Sequence, residues 1–164
     1  WPANWWWEPR RTAVGDYPVD HHHDAHPNKK RLPQLSFYPI PSYTLPIGSI
    51  ISKKNPNFLV AEKSISVSNL VNGTTRLQPV VLQIGQIAGL IASESVKNNI
   101  NTHQIDVRNI QKKFLDTGGY IQPYLDVEKN HPFFKAYQRI GSTGILKGTG
   151  INVCLLYTSD AADE

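Results

Sequence analysis

The stretch from Asn57 to Lys97, NFLVAEKSISVSNLVNGTTRLQPVVLQIGQIAGLIASESVK, decides the reading of this chain. Asn57-Phe58-Leu59-Val60-Ala61 is an apolar run of strand length and composition. Residues 64–75 are rich in Ser, Asn, Thr and Gly, which predicts a loop. Gln78 then precedes Pro79. Proline suits a first helical turn, where its missing N–H costs nothing. A helix is predicted from Val80 to Lys97, with Lys97 placed at the negative end of the helix dipole. Gly85, Ala88, Gly89 and Ala92 recur at three- and four-residue spacing and share one face of it. A glycine inside a helix costs roughly 1 kcal/mol, so two on one face imply a close approach to the backbone. Tight packing on a neighbouring element and a flat ligand lying against the helix start both satisfy that requirement.

The block resembles the C-terminal flavin-closing segment of bacterial FAD-dependent oxidoreductases with a glutathione-reductase-like fold, some of which carry the label xanthan lyase. Their strand of the type NLLVAG, their R-x-x-P and their G-Q-A-A-G helix start are matched by Asn57 to Ala61, by Arg76-Leu77-Gln78-Pro79, and by Gly85-Gln86-Ile87-Ala88-Gly89. Glu62 stands where the family strand often ends in glycine. Upstream, Arg10-Arg11-Thr12 and the run Gly15-Asp16-Tyr17-Pro18-Val19-Asp20-His21-His22-His23 resemble the family's R-R and D-Y-P-x-D-x-H-H segments. Ile40-Pro41 through Leu45-Pro46 resembles its approach to the closing strand. Downstream, Gly118-Gly119-Tyr120, His131-Pro132-Phe133-Phe134 and Gln138-Arg139-Ile140 resemble its tail.

The resemblance implies an α/β fold: the C-terminal part of a two-domain, Rossmann-type FAD-binding flavoprotein, with a closing strand–loop–helix and C-terminal helices. It implies FAD as cofactor, with Ala61 and Glu62 near the ribityl chain. Arg76, Gln78, Pro79, Gly85, Gln86 and Ala88 would stand around the ring, where the helix dipole favours negative charge at the pyrimidine edge. Tyr17, Asp20 and His22 are the expected catalytic residues on the substrate side, a histidine there being able to take or give a proton as hydride moves. The expected activity is hydride transfer from an organic substrate, a small molecule or saccharide, to the flavin.

No G-x-G-x-x-G follows a strand anywhere, and the chain holds no Met. In this superfamily that fingerprint carries the pyrophosphate. The expectation is therefore a truncated chain whose N-terminal dinucleotide-binding half is its missing partner, inactive alone. Residues 154–164, CLLYTSDAADE, read like a translated sequencing adapter of the kind found on metagenomic reads, and are set aside from fold reasoning. The expected organisation is 1–54 as the end of a substrate or cap region, 55–98 as the closing unit, 99–150 as a helical tail and 151–164 as a non-native end.

The chain carries 17 basic and 13 acidic residues, a net +4; without the three acids of the tail it is 17 against 10, or +7. That balance suits a pyrophosphate or an acidic saccharide. The bases form no long run, which argues against nucleic acid. The one cysteine, Cys154, lies in the tail, so the remainder offers no disulfide framework, redox dithiol or iron–sulfur ligand set. No run of 18 apolar residues exists, and Val80 to Ala92 is interrupted by Gln83 and Gln86, so no membrane span is predicted.

The remaining stretches fill in the outline. Thr12 to Arg31 reads as a polar, His-rich loop, and Leu32 to Lys54 as extended segments broken by prolines. Asp106 to Asp116 reads as a helix with Val107, Ile110, Phe114 and Leu115 on one face, ended by Gly118-Gly119; His131 to Ile140 reads as a second. Asp20, His21, His22, His23, Asp24 and His26 raise a metal-binding alternative. Consecutive histidines point different ways and no remote further ligand is evident, so no metal residues are assigned. Trp1, Trp5, Trp6 and Trp7 beside Arg10 and Arg11 raise a carbohydrate-binding one, through stacking on aromatic planes.

Overall fold

A computed structural model describes residues 9–21 and 37–146. Two strands, β1 (Arg11–Gly15) and β2 (Tyr43–Pro46), pair antiparallel with Ala13 opposite Leu45 and Gly15 opposite Tyr43, and the register slips between Arg11 and Ala13. The helices are α1 (Asn69–Thr75), α2 (Gln78–Asn98), α3 (Val107–Asp116) and α4 (Phe134–Gly141). α2 is the hub: it lies on β1 and also contacts α3. Ile84, Ile87 and Ile91 are spaced to fall on one face and are fully buried, joined in a single core by Ala13, Leu45, Ile110 and Phe114.

α2 begins and ends as its sequence dictates. Pro79 sits in the first turn, and Asn99 caps the other end at φ 51°, a left-handed conformation that Asn tolerates. By length and composition α2 could cross a membrane. In this fold its apolar face is instead the centre of the core. α3 matches its predicted span, with Asp106 capping Arg108 N and Gly118 at φ 85° just past its end. α4 starts later than predicted, at Phe134.

Three local expectations change. Thr12–Gly15 is strand, because it finds β2 as a partner. The predicted loop at 64–75 contains α1: Ser68 caps it by accepting from Val71 N at 3.3 Å, so a polar residue read as a loop former starts a helix. The predicted strand at 57–61 is reduced to one bridge, Leu59 with Ile51, flanked by the Val60 N to Ile50 O bond of 2.8 Å. Its short neighbour offers no further ladder, Phe58 is 55 % exposed, and Glu62 at φ 56° turns the chain away.

Buried glutamines fasten the tail to this framework. Gln138 Oε1 accepts from Ile121 N (2.8 Å) and Gln122 N (2.7 Å), while its Nε2 donates to Gln122 O at 3.0 Å. Gln122 Oε1 in turn accepts from the buried Arg11 guanidinium at 2.9 Å, and Gln111 Nε2 donates to Arg11 O at 2.8 Å. Each of these bonds satisfies a buried polar group that would otherwise cost its full desolvation energy.

Candidate functional site

A cleft of about 450 Å³ opens at the head of α2. Its walls are the end of β1 and the residues after it (Val14, Gly15, Asp16, Tyr17), the first turns of α2 (Leu77, Pro79, Val80, Gln83), and Tyr120. Gln83 explains the arrangement. Its Oε1 accepts from Val14 N at 3.1 Å and its Nε2 donates to Val14 O at 2.9 Å, so one side chain fills both backbone positions on the open edge of β1. The strand end is thereby locked to the helix start. Gly15 is required because a Cβ there would collide with the Tyr43 ring.

Thr74 Oγ1 lies 2.6 Å from Tyr17 O and 2.9 Å from Tyr43 Oη, joining α1 to both sides of the strand pair. Burial pushes the Tyr43 phenol up to about 12, with the Thr74 hydrogen bond opposing and the Asp16 charge adding to the shift. Burial, aided by Asp126, also raises Tyr120. Both hydroxyls are thus held neutral over the physiological range.

The residues expected at the site are dispersed. Tyr17 and Pro79 line the cleft. Asp20 is buried but is not among the lining residues; its backbone carbonyl accepts from Arg76 Nη2 at 3.0 Å, so the Arg76 guanidinium fixes the segment that carries Asp20. His22 lies outside the described residues. Its neighbour His21 sits with Nε2 3.1 Å from Leu70 O, over Gly73, where a Cβ would come within 2.6 Å of that nitrogen.

Farther along, Gln78 is exposed at the start of α2. Gln86 Nε2 donates to Thr117 Oγ1 at 2.8 Å. Ala88 belongs to the buried core, whereas Gly85 is exposed and a Cβ on it would meet nothing within 4 Å. Ala61 is half-buried against the core, and Glu62 opens the 3-10 turn Glu62–Ser64 that contacts α2. The left-handed φ of Glu62 supplies the physical reason that a glycine suits this position.

Gln83 and Tyr120 were not foreseen. Gln83 had a signal, a polar residue one turn past Pro79 on the apolar front of the helix; Tyr120 had none, because it arrives through the tail. No group of three or more metal-ligating side chains occurs among the described residues.

The family model for FAD dependent oxidoreductases matches residues 9–114. The chain belongs to the FAD dependent oxidoreductase family. Its cofactor is accordingly FAD. The match spans β1, β2, α1 and α2 and ends at Phe114 in α3, so it includes every wall of the cleft except Tyr120. No curated protein and no solved structure matches the chain.

The cleft fits the ring end of this cofactor in kind. Its walls are chiefly apolar, with two tyrosines, the Gln83 amide and one carboxylate, Asp16, and the apolar and aromatic part of them suits a flat aromatic ring. It lies at the positive end of the α2 dipole. Val80 N and Val81 N are both bonded to Leu77 O (3.0 and 2.9 Å) and Pro79 has no N–H, which leaves the Gln78 amide as the first-turn donor with no carbonyl partner among the described residues. Among the described residues the walls hold no basic side chain and no glycine-rich turn, so they do not suit the pyrophosphate.

Proposed function

We propose that this chain supplies the ring-facing part of an FAD-dependent oxidoreductase that transfers hydride from a small organic substrate or saccharide. When bound, FAD accepts the hydride equivalent. The single observation carrying this reading is the cleft at the head of α2, built by the family-matched residues that Gln83 and Thr74 lock together. Leu77, Pro79 and Val80 exclude water from one wall. The Gln78 amide and the dipole behind it favour negative charge at that end. Tyr17, which lines the cleft, is assigned to hold the substrate proton at its hydroxyl; Arg76 positions the segment that carries it. His22 remains the proposed second proton-handling group. Ala61 and Glu62 are proposed to border the ribityl chain, and the pyrophosphate to be held outside this cleft.

The test is the visible spectrum of the purified full-length protein, alone and with added FAD. Flavin bands that dithionite bleaches are expected. Leu77→Trp, which fills the cleft wall outside the core, is expected to keep the far-ultraviolet circular dichroism and lose the bands. A colourless protein that refuses FAD overturns the reading, and flavin binding undiminished in Leu77→Trp moves the ring elsewhere.

A further inference from the structure

A second cleft, also about 450 Å³, lies between α3 and α4. Among the described residues its walls carry three cations, Arg108, Lys112 and Arg139, and no carboxylate. Hydroxyls from Ser142 and Thr143 and the apolar side chains of Ile140 and Ile145 complete it. Ile145 is 80 % exposed, an apolar surface offered to solvent beside the charges.

Arg108 is held in place from behind. Its Nη1 donates to Gln111 Oε1 (2.8 Å), Ser142 Oγ (2.9 Å) and Ser142 O (3.1 Å). Those bonds fix the plane of the guanidinium, and no bond engages its Nη2 or Nε among the described residues. A preorganised arginine fork with open donors is the group best suited to an oxyanion. Lys112 shares Asp116 with Lys135, at 2.8 and 3.0 Å, in exposed pairs that hold it only weakly. Arg139 has no acidic partner among the described residues.

We infer that this cleft binds a small organic oxyanion, a carboxylate or phosphate ester on a short apolar body, with Arg108, Lys112 and Arg139 on the anion and Ile140 and Ile145 against the body. The site is separate from the flavin cleft: the two share no lining residue. The clustering of charge and apolar surface around one open pocket fits a small ligand rather than a long polyanion.

The experiment is isothermal titration of the full-length protein, loaded with FAD, with phenyl phosphate, phenylacetate, inorganic phosphate and a short polyphosphate. Saturable binding of phenyl phosphate or phenylacetate is expected, tighter than inorganic phosphate, and whichever binds better identifies the head group. Arg139→Gln and Lys112→Gln, both at exposed positions, are expected to weaken it roughly tenfold each, the scale of one charge-assisted hydrogen bond, with flavin absorbance unchanged. No saturable binding overturns the inference, as does binding indifferent to both substitutions, or binding of the polyphosphate alone.

Discussion

The two faces of α2 are treated oppositely. On one, Ile84, Ile87 and Ile91 are fully buried and form the centre of the core. On the other, Leu82 is 71 % and Val96 81 % exposed, and Gly85 and Gly89 have open space where a Cβ would stand. Each of those glycines costs the helix roughly 1 kcal/mol relative to alanine. The described residues return nothing for that cost, since none packs there. Tight packing within this chain, one of the two explanations the spacing allowed, is thus not what the glycines serve among the described residues. A smooth helix face is what a closely approaching group outside them requires.

The comparison breaks first at the buried face. Ile87→Ala is expected to destabilise by about 2–5 kcal/mol in chemical denaturation, whereas Leu82→Ala stays within about 0.5 kcal/mol. Equal losses would mean that both faces are packed. High pH sharpens the same contrast from the strand side. Tyr43, in the core beneath α2, has its folded value raised from 10.0 to about 12. A raised value means stability is fully present below pH 10 and is lost as pH climbs through about 12. The melting temperature is expected to fall across that window, and less steeply in Tyr43→Phe. Tyr124, likewise raised to about 12, and Tyr120, also raised by burial, contribute to the fall that remains.

At the open face the expected sign reverses. Gly85→Leu should hold or raise stability, by up to about 1 kcal/mol, read as melting temperature. A loss of stability would show that this face is packed after all. Glu62→Gly should stabilise by about 1 kcal/mol by relieving a left-handed residue beside α2, read as a higher melting temperature. The smallest effect belongs to Glu94, near the end of α2. Lys113 and Asn98 hold its carboxyl below the ordinary value. Its stabilisation is present at neutral pH and lost as pH falls through that lowered value, so Glu94→Gln should flatten only the acid limb of the melting curve.

α2 and α3 were legible because their signals are local. Pro79, Lys97, Asp106 and Gly118 act on their own turns, and the apolar spacing of each helix names its buried face without reference to anything else. The family could also be read locally, since Arg76-Leu77-Gln78-Pro79 and the Gly85 to Gly89 run keep their order and spacing. The apolar run at 57–61 misled because a strand exists only with a partner along its length, and Ile51 supplies a single bridge. The polar stretch at 64–75 misled because Ser, Asn and Thr serve both loops and helix caps, and only the Ser68 to Val71 bond chooses between them.

The site divides the same way. The sequence by itself determined a long helix with a proline at its head, a glycine-bearing face and an acid–base segment near Tyr17. Tertiary structure decided that Gln83 would close the edge of β1, that Arg76 would hold Asp20's carbonyl rather than stand free, and that Tyr120 would complete the cleft. Those choices depend on which backbone groups remain unsatisfied once distant segments meet. No local pattern records that, because an unpaired N–H or C=O becomes costly only when folding has removed its water.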